Sequence, residues 1–199
     1  MARLRNARAR VAAAVAAAQA GGWIQVPRTD SLYATFDLAQ QTAGEIMGAG
    51  PSVRVQKEAF DPGVEAARLT EGRTGIGAVV TFVGLCRDED GALAALEIEH
   101  YPGMAEKELR RVAEEAAARW PIEGIIVIHR FGIIRPGEPI VLVATASTHR
   151  AEAFAAASFL MDYLKTEAPF WKKLHLLSGP GNWVAAKQDD EAAAQRWRG

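Results

Sequence analysis

The stretch that organises the rest of the chain is MDYLKTEAPFWK, residues 161–172. Its pattern is typical of the end of an amphipathic helix, which runs through a turn at Pro169 into a strand that begins near Phe170. Lys165 and Lys172 lie in this stretch among apolar and aromatic residues. Because burial of an unpaired ammonium is costly, each lysine must reach water or meet an anion. The two lysines are therefore the first candidates for a functional site.

The composition predicts one principal domain whose function depends on a local site. The chain has 199 residues, of which 49% are hydrophobic, enough for one sizeable core. A net charge of -1 gives no general attraction to nucleic acid or membrane, and no apolar run reaches the length of about 18 residues that predicts a spanning helix. The single cysteine excludes an internal disulfide, and the four histidines lack zinc-type spacing. We therefore expect a cytoplasmic protein with no metal and no cofactor.

Residues 1–52 are expected to form an extension that precedes a regular domain at 53–199. The first ten residues carry four arginines, an alanine tract follows, and no acidic residue occurs before Asp30. This order is compatible with a signal or transit peptide and also with a surface helix. An alanine tract forms helix readily but is only weakly hydrophobic for the apolar segment of a signal peptide. This favours a helical or disordered extension.

The regular domain mixes strands and helices without a strict βαβ rhythm, which predicts an α+β fold with a mostly antiparallel sheet and packed helices. Strands are predicted at 53–56, 77–84, 96–99, 125–131, 140–147, 170–177 and 183–186. Helices are predicted at 62–70, 104–120 and 149–165, with a terminal helix from Asp189.

Three finer expectations concern how these elements pack. The strand at 77–84 is expected to be mostly buried and to form a hairpin with 96–99 through a long loop. The turn before the last strand is expected at Gly179-Pro180-Gly181. The buried stripe of the 149–165 helix is predicted to consist of Phe154, Ala157, Met161 and Leu164.

A second basic cluster lies at the predicted start of the 149–165 helix. With Thr148 as N-cap, His149 and Arg150 enter the first helical turn, where the helix dipole disfavours cations unless an anion is present. Orientation of both side chains toward solvent is an equal alternative. Arg87 follows a predicted strand and either joins the same site or belongs to a solvated charge cluster.

The remaining candidates have simpler structural interpretations. Cys86 lacks an evident base, so a packed thiol is favoured over a nucleophile. His100 and His129 lie on predicted strands, where core or edge histidines are more common than ligands. The residues alone thus predict an anion-binding pocket, without naming a reaction, built from Arg87, His149, Arg150, Lys165 and Lys172.

Several motifs in order resemble the large, catalytic subunit of molybdopterin synthase, from about Val53 to Trp197. They are GAVVTFVG at 77–84 with Arg87, LEIEHYPGM at 96–104, IHR at 128–130, HR at 149–150, MDYLK at 161–165 and APFWKK at 168–173. Motifs of this combined length make chance agreement improbable.

The resemblance implies a sulfurtransferase with an α/β-hammerhead-like core. In that family the large subunit forms a homodimer, and each protomer receives the C-terminal tail of a small ubiquitin-like subunit, which gives a heterotetramer. The tail ends in a Gly-Gly thiocarboxylate and donates sulfur twice to cyclic pyranopterin monophosphate, forming the dithiolene of molybdopterin. By motif position, the resemblance implies that Lys165 and Lys172 are catalytic and that Arg87, His149 and Arg150 bind the substrate phosphate.

The chain departs from the family pattern near its C-terminus. The family places an arginine a few residues after a Trp-Val pair, where it reaches the pocket of the other protomer, and here that position is Lys187. Lysine keeps the positive charge but not the bidentate fork, so Lys187 is a substrate-binding candidate by charge alone. Residues 1–52 have no Gly-Gly end before Val53 and are not expected to be a fused small subunit.

Two rival hypotheses stay open at this point. One is a non-catalytic module that binds a ubiquitin-like tail or a phosphorylated ligand. The absence of Lys165 or Lys172 would favour this hypothesis, and both lysines are present. The other is a sulfur carrier that depends on Cys86, in which case a Cys86→Ser variant would be inactive.

Overall fold

A computed structural model describes residues 50–88, 90–166, 168–184 and 196–197. Lys187 lies outside these residues, as do most of the predicted N-terminal extension and, except for residues 196–197, the predicted terminal helix from Asp189. Within them, the elements in chain order are β1 (Ser52–Gln56), α1 (Pro62–Thr70), β2 (Ala78–Leu85), β3 (Leu93–His100), α2 (Met104–Arg119), β4 (Ile122–Arg130), β5 (Gly132–Ile134), β6 (Pro139–Ser147), α3 (Arg150–Thr166), β7 (Phe170–Leu176) and β8 (Gly179–Val184).

The strands form two four-stranded sheets. The first has the order β1-β4-β6-β2 and the second the order β5-β3-β7-β8. Every pairing is antiparallel except that of β1 with β4. The main core lies between the first sheet and the helices α2 and α3, and a separate cluster fills the inner face of the second sheet. The predicted α+β fold with mostly antiparallel strands is confirmed.

The helix starts follow local capping rules. Asp61 Oδ1 accepts hydrogen bonds from the backbone N–H groups of Gly63 at 2.8 Å and Val64 at 3.1 Å, and Pro62 is the first residue of α1, as predicted. Helix α2 begins after Gly103, whose φ of 80° suits glycine, and Glu106 accepts from the Gly103 N–H at 2.7 Å. These boundaries could be predicted because each depends only on neighbouring residues.

The predicted hairpin of β2 with β3 is wrong. Strand β2 pairs with β6 in the first sheet, whereas β3 pairs with β5 and β7 in the second. The buried side chains Leu96 and Ile98 of β3 are covered by partners from β7 and β5, so β3 joins the sheet that completes its apolar face. Strand β2 is an edge strand, and Val79 and Phe82 are 37% and 39% exposed, so the expected burial of this strand is also wrong.

Two further expectations required correction. Of the predicted buried stripe of helix α3, Ala157 is buried and Met161 and Leu164 are partly buried against the main core, but Phe154 is 62% exposed. The helix also buries four residues outside that stripe, which are Ala153, Phe159, Leu160 and Tyr163. The alanine-rich first half of α3 gives a weak periodicity, so the buried face is decided by the aromatic contacts of Phe159 rather than by pattern.

The glycine-rich segment before the last strand is also not a turn. Strand β8 begins at Gly179, and the turn lies at residues 177–178. A Cβ at Gly181 would lie 2.1 Å from the Leu174 carbonyl oxygen, so glycine permits the close approach of β8 to β7. Residues 185–186 of the predicted strand lie outside the described residues.

Candidate active site

Lys165 lies in the last turn of α3, with its side chain exposed. The neighbouring residues Met161 and Leu164 are partly buried and pack against the main core. The Thr166 hydroxyl donates to the Asp162 carbonyl at 2.9 Å, which satisfies one carbonyl at the helix end. The apolar residues of the 161–172 stretch therefore anchor the helix end while the ammonium group of Lys165 reaches the surface.

Lys172 lies on β7, on the face that the alternation predicts. It shares this face with Phe170 and Leu174, and its partner across the strand pair is Ile98, which is 1% exposed. The Lys172 side chain itself is exposed. It therefore stands near the start of β7, an interior strand of the second sheet, where a buried aliphatic floor adjoins solvent.

Two aromatic rings meet at the start of β7. The imidazole of His129, on β4, stacks on the Phe170 ring with centroids 3.7 Å apart and planes 9° apart. Burial lowers the pKa of His129 to about 4, and the nearby positive charge of Lys172 acts in the same direction. His129 is thus a neutral, buried group beside the candidate lysine, in agreement with the prediction of a core histidine.

Arg87 follows Cys86 directly after β2. The Cys86 N–H donates to the Glu138 carbonyl at 2.9 Å, so this loop lies beside the residue that precedes β6. Cys86 is buried, its thiol contacts the Ile134 carbonyl at 3.8 Å, and burial raises its pKa. A buried thiol with a raised pKa is a poor nucleophile, so Cys86 packs as a small apolar group.

His149 and Arg150 lie at the start of α3 and are both exposed. The helix begins at Arg150, one residue later than the predicted start, so that His149 directly precedes it and Thr148 lies one residue further out. The His149 N–H points to the Ser147 hydroxyl at 3.4 Å. A Cβ at Gly77 would lie 2.2 Å from the Thr148 carbonyl oxygen, so glycine is required where β2 passes this turn.

The predicted cations do not converge within one chain. Helix α3 separates Arg150 from Lys165 by a rise of about 22 Å. The Thr145 hydroxyl, near the end of β6, donates to the Ala153 carbonyl at 2.8 Å, so the start of α3 lies at the end of β6. Strand β6 spans about 27 Å, and Arg87 follows the loop beside its first residues. Arg87 thus lies at one end of the first sheet and Arg150 at the other.

The other candidates lie at the end of the first sheet that is opposite to His149 and Arg150. His129 pairs with Val141 near the start of β6, and Phe170 stacks on His129, so β7 begins at the same end as the Cys86–Arg87 loop. The last turn of α3 precedes β7 by three residues, so Lys165 lies there as well. The topology therefore groups Arg87, Lys165 and Lys172, and separates them from His149 and Arg150.

Sequence patterns did not identify the His129–Phe170 stack or the role of Asp162. The Asp162 carboxylate accepts hydrogen bonds from the C-terminal Arg196 and Trp197 at 2.6 and 2.7 Å. Both contacts join residues that are more than 30 positions apart in the chain, which no local pattern can reveal. In the described part of the chain, no group of three or more His, Cys, Asp or Glu side chains could hold a metal ion, and no helix is long and apolar enough to cross a membrane.

A family model described as MoaE protein matches residues 55–167, more than half of the chain. The chain belongs to the MoaE family. Curated relatives in this family are named molybdopterin synthase catalytic subunit. The relative from Mesorhizobium japonicum is 62% identical over 149 residues, which cover 74% of this chain and 94% of the relative. The relative from Brucella melitensis is 58% identical over a match that covers 73% of this chain and 90% of the relative.

Solved structures of the MoaE family have the same fold. The molybdopterin biosynthesis MoaE protein from Burkholderia ambifaria is 47% identical, covers 75% of this chain and 99% of its own, and superposes with a TM-score of 0.64. Molybdopterin synthase from Staphylococcus aureus is 31% identical, covers 66% of this chain and 95% of its own, and has a TM-score of 0.57. A third structure, a complex of subunits 1 and 2 of molybdopterin-converting factor from Helicobacter pylori, is 20% identical and has a TM-score of 0.57; it covers 68% of this chain and 90% of that chain.

Proposed function

We propose that this chain is the catalytic subunit of a molybdopterin synthase. It transfers sulfur from the C-terminal thiocarboxylate of a small ubiquitin-like subunit to cyclic pyranopterin monophosphate. The observation that carries the proposal is the placement of Lys165 and Lys172 on adjoining elements, in a MoaE-family chain whose relatives bear the synthase name.

The chemistry requires fixed positive charge. The thiocarboxylate nucleophile and the cyclic phosphate of the substrate are both anionic, so their approach is unfavourable without cations. Lys165, Lys172 and Arg87 lie toward the same end of the first sheet and supply three positive charges there. Preorganised cations also stabilise the charge that develops on the phosphate as its ring opens. Either lysine can in addition carry a proton to or from the reacting atoms.

A homodimer is proposed because the predicted anion site is incomplete within one chain. His149 and Arg150 lie at the far end of β6 from the two lysines, beyond the reach of their own side chains. In a two-fold dimer, the His149–Arg150 corner of one protomer can meet the lysines of its partner, which assembles all five predicted residues. Lys187, outside the described residues, would act from the partner in the same way.

The proposed partner is a small subunit that presents an extended tail. The Helicobacter pylori structure is named as a complex of subunits 1 and 2 of molybdopterin-converting factor, so its relative of this chain assembles with a second subunit. Lys172 is exposed near the start of β7, where an extended tail ending in a thiocarboxylate can approach the ammonium group. Two small subunits on the dimer give the proposed heterotetramer.

The decisive experiment measures molybdopterin formed from the thiocarboxylated small subunit and the cyclic pterin. Lys165→Ala and Lys172→Ala should each abolish transfer, because an alanine cannot stabilise the anions or carry a proton. Lys173→Ala is a matched control: Lys173 is adjacent in sequence but lies on the other face of β7, over the Trp183 ring. Cys86→Ser should also remain active, since the thiol is buried.

Circular dichroism should show that both lysine variants keep the fold. Near-normal turnover in both would contradict the proposal. Tight binding of the small subunit without any turnover by the unmodified chain would identify a non-catalytic binding module instead, and loss of activity in Cys86→Ser alone would identify a cysteine-dependent carrier.

A further inference from the structure

A pair of stacked rings beside Lys172 joins the two sheets of this fold. His129 belongs to β4 of the first sheet and Phe170 to β7 of the second, and the rings are nearly parallel with a centroid separation of 3.7 Å. Phe170 packs against both the main core and the core of the second sheet. His100, which pairs with Phe170 across the strands, contacts Phe131 with a centroid separation of 4.3 Å. The stack is therefore a joint between the sheets, within an aromatic cluster.

The hydrogen bond of His129 defines how its ring is held. Its Nδ1 lies 2.8 Å from the Arg130 carbonyl oxygen, and a carbonyl can only accept, so Nδ1 carries the proton. The neutral ring then leaves Nε2 as an acceptor without a proton. This bond fixes the rotation of the imidazole about its Cβ–Cγ axis, and thereby the plane against which Phe170 stacks.

The charges around His129 favour this neutral state. Lys172 and His100 both contribute positive potential at the imidazole, and its side chain is almost completely buried. The carboxylate of Glu106 faces His100, at 3.8 Å from its Nε2. The Arg130 guanidinium is directed away, toward Glu138 and the Lys57 carbonyl. A second full positive charge next to Lys172 is thus avoided.

We propose that His129 is a positioning residue for Lys172. Lys172 lies two residues beyond Phe170 on the same face of β7, so an anchored Phe170 ring sets where the lysine emerges. Lys165 belongs to α3, which packs on the first sheet, whereas Lys172 belongs to the second sheet. The distance between the two ammonium groups therefore depends on how the sheets are joined, and the stack is the contact between them that lies nearest along β7 to Lys172.

The positioning role of His129 rests on the proposed function only where it predicts the rate of sulfur transfer. An apolar side chain could fill the same volume without the cost of burying a polar ring. What the imidazole adds is a hydrogen bond that orients the ring, which a phenyl group lacks. A His129→Phe variant should therefore keep the stack but lose its fixed orientation, and His129→Leu should lose both.

The first test does not depend on activity. In proton NMR of the full chain, the His129 ring signals should be shifted upfield by the Phe170 ring and should not titrate between pH 5.5 and pH 8. After reductive ¹³C-methylation, the Lys172 signal, assigned with Lys172→Arg, should shift in His129→Leu and remain in place in His175→Leu. His175 is the matched control because it lies on the same strand, β7, and pairs with Glu97 at 2.8 Å, away from the stack.

The second test is single-turnover sulfur transfer. His129→Leu should lower the rate constant by about tenfold or more, because small displacements of a catalytic group have large effects on rate. His129→Phe should lie between His129→Leu and the unmodified chain. The small-subunit concentration that gives half the maximal rate should change less than about twofold, since a buried His129 offers almost no surface to a partner.

The outcomes separate the two proposals. An unchanged Lys172 signal in folded His129→Leu, or an equal shift in His175→Leu, would overturn the positioning role. A His129 signal that titrates near neutral pH would overturn the stacked neutral ring. If the unmodified chain forms no molybdopterin, the proposed function fails, while the NMR measurements still decide the role of His129. If His129→Leu does not fold, His129→Phe and the spectrum of the unmodified chain provide the decision.

Discussion

The Asp162 carboxylate on α3 binds both residues of the Arg196-Trp197 segment, and removal of that carboxylate has a calculable effect. Asp162 Oδ2 accepts from Arg196 Nη2 at 2.6 Å and from the Trp197 indole N–H at 2.7 Å. The Asp162 side chain is 16% exposed, whereas that of Arg196 is 54% exposed. The Trp197 ring also packs edge-on against Trp120 and Phe159, at 5.7 and 5.6 Å between centroids. Asp162→Ala should therefore weaken the attachment of this segment to the helix that carries Lys165, although Ser158 Oγ of that helix still accepts from Arg196 Nη2 at 2.6 Å.

The expected loss comes mainly from the indole hydrogen bond. A hydrogen bond from a neutral donor to a partly buried carboxylate is worth about 1.5 to 3 kcal/mol. Removal of the carboxylate also leaves the Trp197 N–H without its acceptor. The exposed ion pair with Arg196 adds at most about 1 kcal/mol. We expect the free energy of unfolding to fall by about 2 to 3 kcal/mol, which lowers the urea midpoint by about 1 M.

The assay is equilibrium urea unfolding followed by circular dichroism. Trp197→Phe and the double variant with Asp162→Ala complete a mutant cycle, whose coupling energy should be about 1 kcal/mol or more because the two groups are in direct contact. Glu114→Ala, an exposed carboxylate on α2, is the control and should change stability by less than about 0.5 kcal/mol. A coupling energy near zero, or an Asp162→Ala midpoint equal to that of the control, would refute the assigned role of Asp162.

Two further predictions concern the dimer and pH. A mixture of inactive Lys172→Ala and Arg150→Ala chains, after subunit exchange, should recover about a quarter of the unmodified activity, because half of the dimers are mixed and each mixed dimer has one intact site; no recovery would show that both residues act within one chain. Stability should fall as the pH drops from about 6.5 to 4, because unfolded His129 gains a proton that the folded ring, with its pKa lowered to about 4, resists. His129 should account for a loss of about 3 kcal/mol in the free energy of unfolding. The urea midpoint of His129→Phe should not show this part of the pH dependence, and an equal pH dependence in the variant and the unmodified chain would contradict this origin.

The local features of the fold could be predicted from the sequence because they depend on near neighbours. The Asp61–Pro62 start of α1 and the bounds of α2 followed from capping and helical spacing. The pairing of β2 could not be predicted in this way. An apolar run pairs with whichever strand completes a buried face, and β6, more than 50 residues away, provided that face rather than the adjacent β3.

The candidate cations divide in the same manner. The sequence by itself determined which residues carry positive charge in apolar surroundings, since Lys165 and Lys172 stand out among the apolar and aromatic residues of the 161–172 stretch. Only the tertiary structure decided which of them can act together. The direction of α3 along the first sheet places Arg150 about 22 Å from Lys165, and the stack of His129 on Phe170 joins two sheets whose strands are not neighbours in the chain. Spacing reports only local geometry, whereas distances between elements depend on which buried surfaces fit together.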